Sequence, residues 1–304
     1  TNRVVYLDED EWCVLSHTGY EVFDANGAAV QHPVQIVEAA SAVAEKGNYR
    51  HYMQKEIFEQ PESTSRTVSA YIDTKSLMVK MPDAKEGSAP IDFSAFDSAY
   101  IVACGTAYYA GAVAEYWFEQ IAKLPVETDI ASEFRYRQPA LRKNSLAIFV
   151  TQSGETADTL AAMRYCKENG LTTAAVVNVP TSSIAREADY VFPTLAGPEI
   201  GVASTKAFTA QLCALAAVAV SAGVQRGHLN SEDAGDYAKK LMEIPRMITD
   251  MLKVEPEIEE IAIDLSKSRD VLYLGRGPLY PIALEGALKL KEISYVHAEG
   301  YAAG

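Results

Sequence analysis

Residues 146–159 limit the possible folds of this chain more than any other segment. Residues 146–150 have the sequence LAIFV, a continuous apolar run that predicts a strand buried on both faces. The polar turn TQSGET follows, and apolar residues then recur at helical spacing as far as Gly170. A strand, a small polar turn and a helix N-terminus form a favourable anion site, because the amides of the first helical turn have no intrahelical partner.

The side chains of the turn narrow the class of anion. Hydroxyls at Thr151, Ser153 and Thr156 can bind it, and Gly154 predicts a close approach of the backbone to the ligand. The turn has no Lys or Arg and lacks the G-K-[ST] ending of a nucleotide-binding P-loop, so we expect a phosphate monoester on a small molecule. The turn alone leaves open the alternative that Ser153 or Thr156 only caps the helix.

Charge and composition argue against several classes of partner. The 304-residue chain carries a net charge of −14, which argues against nucleic acid. The sequence has no apolar run of transmembrane length and no signal-peptide pattern, so no membrane is expected. Four cysteines without a C-x-x-C pattern predict reduced thiols and a cytoplasmic location, and the scattered histidines predict no metal site. Both ends look cut, so we expect a fragment of a longer protein.

Five short apolar runs alternate with helical patterns through the middle of the chain. They predict strands at residues 100–103, 126–130, 146–150, 173–177 and 190–192. This alternation predicts an α/β fold with a parallel, doubly wound sheet, whose ligands sit beyond the carboxyl ends of the strands. Residues 104–106, 151–156 and 178–183 fall at those ends. A long, nearly all-apolar helix that opens at Lys206 is expected to be buried.

The segment before this alternation predicts a different kind of structure. Short apolar runs at residues 3–7, 12–15 and 20–23, with the hairpin signal Asn26-Gly27, predict a small β piece. A connecting segment then predicts an amphipathic helix that is ended by Pro61. A further helix and a loop are expected before the first strand of the sheet.

The segment after the alternation begins a second α/β pattern. Residues 231–266 predict helices broken by Pro245 and Pro256. A strand at residues 270–274, a glycine-rich turn and a helix at residues 280–297 then repeat the earlier strand–turn–helix order. This repetition predicts the first βα unit of a second, similar domain.

Three charged residues of that last helix share one face. Glu285, Lys289 and Glu292 are spaced at i, i+4 and i+7, which aligns them along the helix. A carboxylate beside an ammonium near a phosphate site is suited to proton transfer. The spacing alone favours the alternative of an exposed ion-pair ladder, because such pairs are common on helix surfaces.

Five segments together resemble one enzyme family, the isomerising glutamine–fructose-6-phosphate aminotransferases. The segments are YRHYMQKEI (49–57), SEFRYR (132–137), QSGETADT (152–159), EIGVASTK (199–206) and residues 274–304. The resemblance extends over essentially the whole chain and implies a flavodoxin-like, five-stranded parallel sheet of the sugar isomerase (SIS) type. It implies the end of a glutaminase domain at 1–45, a linker and helix at 46–90, a first SIS domain at 91–228, connecting helices at 229–266 and the start of a second SIS domain at 267–304.

The same resemblance implies roles for individual residues. The residues that match the family's phosphate contacts are Gln152, Ser153 and Thr156, with Thr151 beside them. Glu292 matches the base that moves a proton between C1 and C2 of the sugar, and Lys289 matches its catalytic neighbour. The sugar contacts fall to Cys104, Gly105, Thr106, Val202, Ala203 and Ser204.

The resemblance also implies the partners and the limits of this chain. Fructose 6-phosphate, glucosamine 6-phosphate, glutamine and a second copy in a homodimer are the expected partners, without a cofactor. Thr151 stands where the family often has Ser, and Ala107 stands where Ser is common, so one hydrogen bond is in doubt. The cysteine nucleophile of the glutaminase half, a histidine and the Schiff-base lysine of the family are not in this sequence. The chain alone is therefore not expected to complete the reaction.

Two other functions remain open from the sequence. One is an SIS-type deaminase that releases ammonia from an amino sugar phosphate, which the β segment and the motif at 49–57 argue against. The other is a non-catalytic SIS module that senses sugar phosphates, which the aligned Glu285, Lys289 and Glu292 argue against.

Overall fold

The computed structural model describes residues 3–8, 10–36, 45–82 and 89–304. The chain divides into two compact units, Thr1–Glu45 and Lys46–Gly304. Each unit is described by itself.

Antiparallel strands make up the first unit. β1 (Arg3–Val4) pairs with a later short strand, Gln35–Ile36 (β5), and a separate three-stranded sheet consists of β2 (Trp12–Leu15), β3 (Tyr20–Phe23) and β4 (Ala29–Val30). Trp12 and Phe23 stack across β2 and β3 with ring centroids 4.6 Å apart, a favourable cross-strand pair. The predicted strands at 12–15 and 20–23 are confirmed, as is the hairpin at Asn26-Gly27. The strand expected at residues 3–7 is limited to Arg3–Val4.

Two helices and a hairpin begin the second unit. They are α1 (Tyr52–Phe58), α2 (Gln60–Tyr71) and the antiparallel pair β6 (Ile72–Asp73) and β7 (Met78–Val79). The helix predicted before Pro61 is present as α1 and ends at Phe58, and Pro61 itself lies in the first turn of the next helix, α2. Proline is favoured there, since a first-turn amide has no intrahelical partner to lose. Part of the loop expected before residue 95 lies outside the described residues.

Five parallel strands form the main sheet of the second unit. They are β8 (Ser98–Ala103), β9 (Val126–Ile130), β10 (Ser145–Thr151), β11 (Thr172–Val177) and β12 (Tyr190–Pro193). Their order across the sheet is β12-β11-β10-β8-β9, so the chain winds outward in both directions from β8 and β10. The predicted doubly wound α/β fold is confirmed.

Helices cover both faces of this sheet and bury two hydrophobic layers. They are α3 (Gly105–Trp117), α4 (Ala131–Arg137), α5 (Ala157–Glu168), α6 (Ser183–Glu187) and α7 (Lys206–Gln225). Successive side chains of β10 point to opposite faces, so Ile148 joins the layer under α3 and α7 while Phe149 joins the layer under α4 and α5. This arrangement explains the continuous apolar run, because a strand covered on both faces needs apolar residues at every position.

Helix α7 belongs to the core. It is long and apolar enough to cross a membrane by length and composition, but 72% of its apolar window is buried inside the protein. Its residues pack against α2 and α3, and Ala214 and Val218 are fully enclosed. The prediction of a buried helix is confirmed.

The rest of the second unit consists of α8 (Ser231–Met251), α9 (Glu255–Leu265), β13 (Asp270–Gly275), α10 (Leu279–Ser294) and β14 (His297–Ala302). The prediction that Pro245 breaks a helix is wrong, because Pro245 lies inside α8. Buried Ala238 and Leu241 anchor this helix, so tertiary packing outweighs the local cost of a proline.

The end of the chain differs from the expected long helix. Tyr295 adopts a left-handed conformation with φ +61°, which ends α10 before His297. The following residues form β14, which pairs in parallel with β13. Strand, helix and strand therefore make a βαβ unit outside the main sheet, and its helix α10 packs against α3.

Candidate functional site

A polar pocket of about 230 Å³ lies at the carboxyl ends of β8 and β10, where a doubly wound sheet binds its ligands. All of the predicted site residues line it except Gly105 and Ala203, which adjoin lining residues in the sequence. The full set of lining residues is Cys104, Thr106, Ala107, Val150, Thr151, Gln152, Ser153, Thr156, Thr159, Val202, Ser204, Gln211, Lys289 and Glu292.

The turn between β10 and α5 supplies hydroxyls to one side of the pocket. The buried hydroxyl of Thr151 accepts a hydrogen bond from the amide of Gly154 at 3.2 Å and lies 3.4 Å from the hydroxyl of Thr156. Thr156 holds the N-cap position of α5, but its side chain makes no capping hydrogen bond. Ser153 accepts a hydrogen bond from the amide of Glu155 at 3.2 Å. The alternative in which Thr156 serves only as a helix cap is therefore wrong.

Gly154 is required because its neighbours leave no space for a side chain. Its φ of +71° lies in the left-handed region, and a Cβ built on it would lie 1.9 Å from Oγ of Ser182. Ser182 belongs to the segment after β11, whose Ile184 amide donates to the carbonyl of Gly154. The glycine therefore allows two loops of this edge to pack together, and the expectation that it also lets the backbone approach a ligand stays a prediction.

The turn after β8 reaches across to the last helix. Cys104 is the N-cap residue of α3, and Thr106 follows in the first turn. Lys289 donates a hydrogen bond to the hydroxyl of Thr106 at 2.9 Å, and that hydroxyl donates to Oε1 of Glu285 at 3.1 Å. Residues far apart in the sequence therefore form one hydrogen-bonded group beside the pocket.

The charged face of α10 is partly buried. The side chains of Glu285, Lys289 and Glu292 are 7%, 17% and 39% exposed, and Lys289 lies 3.6 Å from Glu285 and 2.5 Å from Glu292. Burial raises the pKa of Glu285 to about 7, although Lys289 and Thr106 oppose the shift. The interpretation as an exposed surface ladder is wrong for Glu285 and Lys289.

Two glutamates, the buried Glu56 and the partly exposed Glu199, hold the segment that carries Val202 and Ser204. Glu56 of α1 is 2% exposed and accepts hydrogen bonds from the amides of Ile200 at 2.6 Å and Gly201 at 3.0 Å. Glu199 accepts from Thr205 and Ser204 and so satisfies the start of α7. The segment YRHYMQKEI therefore has a structural reason for its glutamate, because Glu56 orders a loop of the pocket.

The sequence interpretation missed several lining residues. Val150, Thr159 and Gln211 were not proposed for the site, yet all three line the pocket, as does Ala107, which the sequence analysis noted only for the hydroxyl that it lacks. Gln211 carried a usable signal, since it is a polar residue within the nearly all-apolar helix α7. The burial of Glu285 had no sequence signal, because it depends on the contact between α10 and α3.

Other reactive side chains lie apart from this pocket. Burial raises the pKa of the Cys166 and Cys213 thiols to about 12, so these thiols stay protonated at neutral pH. In the first unit, Asp8, Glu11 and His32 place possible ligand atoms within 4.8 Å of one another, a cluster that the sequence did not predict. A side-chain contact of 2.7 Å between Glu11 and Nε2 of His32, and a hydrogen bond of 2.8 Å from the amide of Asp8 to Glu11, account for the closeness of these three residues.

Comparison with known proteins places the chain within a recognised family. The SIS-domain model matches residues 93–221 and 264–304. The chain is 56% identical over 304 residues to glutamine--fructose-6-phosphate aminotransferase (isomerizing) of Bradyrhizobium diazoefficiens, and 54% identical over the same length to the protein of that name from Caulobacter vibrioides. Each comparison covers 100% of this chain and 49% of the relative, so the chain spans about half the length of the curated relatives it matches.

Solved structures show the same fold. The C-terminal domain of glucosamine-fructose-6-phosphate aminotransferase from Francisella tularensis has a TM-score of 0.80 and 45% sequence identity, with 85% of this chain and 72% of that chain covered. Glucosamine-6-phosphate deaminase from Thermotoga maritima has a TM-score of 0.64 and 22% identity, with 83% of this chain and 70% of that chain covered. The second likeness concerns the fold alone.

Proposed function

Since the chain belongs to the SIS-domain family and, within it, to the glutamine–fructose-6-phosphate aminotransferases, we propose that its pocket binds fructose 6-phosphate and that the whole protein converts this sugar into glucosamine 6-phosphate. The observation that carries the proposal is the meeting of two features in one pocket. A hydroxyl-bearing turn lies at the N-terminus of α5, and a lysine and a glutamate of α10 line the same pocket.

The phosphate end of the proposed substrate lies against the turn after β10. Gln152, Ser153 and Thr156 bind the phosphate, with Thr151 beside them, because hydroxyls and first-turn amides together suit an anion. The turn has no cation of its own, which suits a substrate that must bind and leave. Thr151 keeps the hydroxyl expected at its position, whereas Ala107 provides none.

The sugar end of the proposed substrate extends toward α10. Cys104, Gly105, Thr106, Val202, Ala203 and Ser204 surround the sugar. Glu292 takes the proton from one of the carbons C1 and C2 and returns it to the other. Lys289 holds that carboxylate at 2.5 Å and is bound in turn to Thr106. A carboxylate can carry a proton in this way without a metal or an organic cofactor.

The remaining parts of the reaction belong to the whole protein. Glutamine is hydrolysed by a glutaminase domain whose last part is residues 1–45, and the ammonia is added to C2 of the opened sugar. Residues 46–90 link that domain to the first SIS domain at 91–228, residues 229–266 connect the two SIS domains, and residues 267–304 begin the second. The protein acts as a cytoplasmic homodimer. A histidine and a Schiff-base lysine of the family complete the site from beyond this sequence.

The proposed base is tested by Glu292→Gln in a full-length enzyme that contains this chain. The variant keeps the side-chain shape, so exchange of the C1/C2 proton of fructose 6-phosphate with solvent should stop and turnover should fall by about 10²–10⁴. The affinity for fructose 6-phosphate should change by no more than about threefold, because the proposed phosphate contacts come from the turn after β10 and not from α10. Glu260→Gln, on exposed α9, is the matched control. Proton exchange at the wild-type rate in Glu292→Gln would assign the base elsewhere.

Assays of product formation, ammonia release and proton exchange with the same full-length enzyme distinguish the proposed function from its two alternatives. An aminotransferase forms glucosamine 6-phosphate only when glutamine is supplied. A deaminase releases ammonia from glucosamine 6-phosphate and does not consume glutamine. A sensor binds the sugar phosphate but catalyses neither proton exchange nor product formation.

A further inference from the structure

Gln211 is a buried polar residue that none of the roles described above explains. It lies in the first half of α7, is only 2% exposed and lines the pocket. Its side-chain carbonyl oxygen, Oε1, has no hydrogen-bond partner among the described residues. Its neighbours along the helix, Ala210, Cys213 and Ala214, are small and buried, so an apolar residue would pack at this position without an unpaired polar atom.

The protein itself gives this buried acceptor no partner among the described residues, so any partner must come from the pocket. A buried polar group without a partner destabilises the folded state by about 1–3 kcal/mol. Met has a volume and shape similar to Gln and would avoid this cost in an apolar helix. A polar residue that costs stability at a pocket wall indicates a partner that enters the pocket.

The chemistry of Oε1 selects that partner. A carbonyl oxygen only accepts hydrogen bonds, and the oxygens of an ionised phosphate also only accept, so these two groups cannot pair. A sugar hydroxyl can donate. The proposed phosphate contacts come from the turn before α5, which packs on the opposite face of the sheet from α7. Gln211 therefore lies on the side of the pocket that is left to the sugar.

We propose that Gln211 is a substrate-binding residue whose Oε1 accepts a hydrogen bond from a hydroxyl of the sugar phosphate. This assignment rests on the proposed function, because it takes fructose 6-phosphate as the ligand. It adds a contact from helix α7 to the contacts proposed for residues 104–106, 151–156 and 202–204. Gln211 recognises the sugar part of the ligand and not its phosphate.

The test is calorimetric titration of a full-length enzyme that contains this chain, and of its Gln211→Met variant, with fructose 6-phosphate and with inorganic phosphate. Gln211→Met should lower the affinity for fructose 6-phosphate about tenfold, which corresponds to about 1.4 kcal/mol. Its affinity for inorganic phosphate should stay the same. Its thermal stability should equal or exceed that of the wild type, because the unpaired acceptor is gone.

Gln225→Met is the matched control on the same helix. The side chain of Gln225 accepts a hydrogen bond from the amide of Phe93 at 2.9 Å and does not line the pocket. This variant should lower thermal stability and leave both affinities unchanged, the reverse of the result for Gln211→Met.

The outcomes distinguish this inference from the proposed function. If the wild type does not bind fructose 6-phosphate, the proposed function fails and the inference fails with it. If the wild type binds the sugar phosphate and Gln211→Met binds it equally well, only the inference is overturned. An equal loss for inorganic phosphate would place Gln211 at the phosphate. A loss of thermal stability in Gln211→Met would show that Gln211 is structural.

Discussion

Lys289 donates a hydrogen bond of 2.9 Å to the hydroxyl of Thr106, although the two residues are 183 positions apart in the sequence. Thr106 lies in the first turn of α3, directly after the first strand of the main sheet, and Lys289 lies in the helix of the βαβ unit outside that sheet. The bond thus joins the predicted sugar-binding turn to the helix that carries the proposed base. The pocket is complete only because these two α/β units pack together.

Glu56→Ala should destabilise the chain and loosen the pocket. The amides of Ile200 and Gly201 would lose a shared carboxylate acceptor, and hydrogen bonds to a charged group are worth about 1.5–3 kcal/mol each but are not additive. We expect the free energy of unfolding in urea to fall by about 2–4 kcal/mol. Glu62→Ala, at an exposed position of α2, should change it by less than about 0.5 kcal/mol. Equal effects of the two substitutions would contradict the role of Glu56.

Gly154→Ala should be far more harmful than Gly170→Ala. Both glycines have positive φ, +71° and +79°, but a Cβ at Gly154 would meet Oγ of Ser182 at 1.9 Å while a Cβ at Gly170 would meet nothing within 4 Å. Gly170→Ala should therefore cost only the left-handed conformation, about 1–2 kcal/mol. Gly154→Ala should cost several kcal/mol more (about 3–5 in total), because the adjoining loop must also move. Thermal unfolding of both variants measures the difference, and similar losses would show that the loop contact is unimportant.

Glu285→Gln should stabilise the chain in a pH-dependent way. The folded-state pKa of Glu285 is raised by burial to about 7 from an ordinary value of 4.5. The unfolded chain therefore releases this proton first as the pH rises, so wild-type stability falls between about pH 4.5 and pH 7 and the full cost is present above pH 7. Below about pH 4.5 both states are protonated and the cost disappears.

The difference in free energy of unfolding between Glu285→Gln and the wild type should change over the same pH range. Its advantage in free energy of unfolding should rise from near zero at about pH 4.5 to as much as about 3 kcal/mol above pH 7. Lys289, Glu292 and Tyr109 also act on Glu285, so the difference between the two proteins is the quantity to measure by denaturation across this range. An advantage that does not change with pH would mean that Glu285 keeps an ordinary pKa in the folded state.

The sequence predicted the sheet because its strands carry a strong local signal. Continuous apolar runs such as 146–150 arise only where both faces of a strand are covered, and their alternation with helices leaves few topologies. The predicted strands also indicated which turns form the pocket, because residues at the carboxyl ends of parallel strands meet at one edge of the sheet. The domain ranges and the roles of the site residues stay predictions.

The features that the sequence did not predict depend on contacts between distant segments. Pro61 and Pro245 have the same local preferences, yet one begins a helix and the other lies within a helix anchored by packing. Strand β14 has the sequence HAEGYA, which lacks a clear alternation and forms by pairing with β13. The burial of Glu285 likewise results from the packing of α10 on α3.

The central claim, that the turn after β10 binds a sugar phosphate, is tested most directly by calorimetric titration with fructose 6-phosphate. A full-length enzyme that contains this chain should bind it, and the double variant Ser153→Ala, Thr156→Ala should bind it more weakly by about 2–4 kcal/mol, since two hydrogen bonds to a charged group are lost. Ser65→Ala with Ser69→Ala, on the exposed side of α2, is the control and should bind as the wild type does. Equal affinity in the Ser153/Thr156 variant and the wild type, or no binding by the wild type, would contradict the claim.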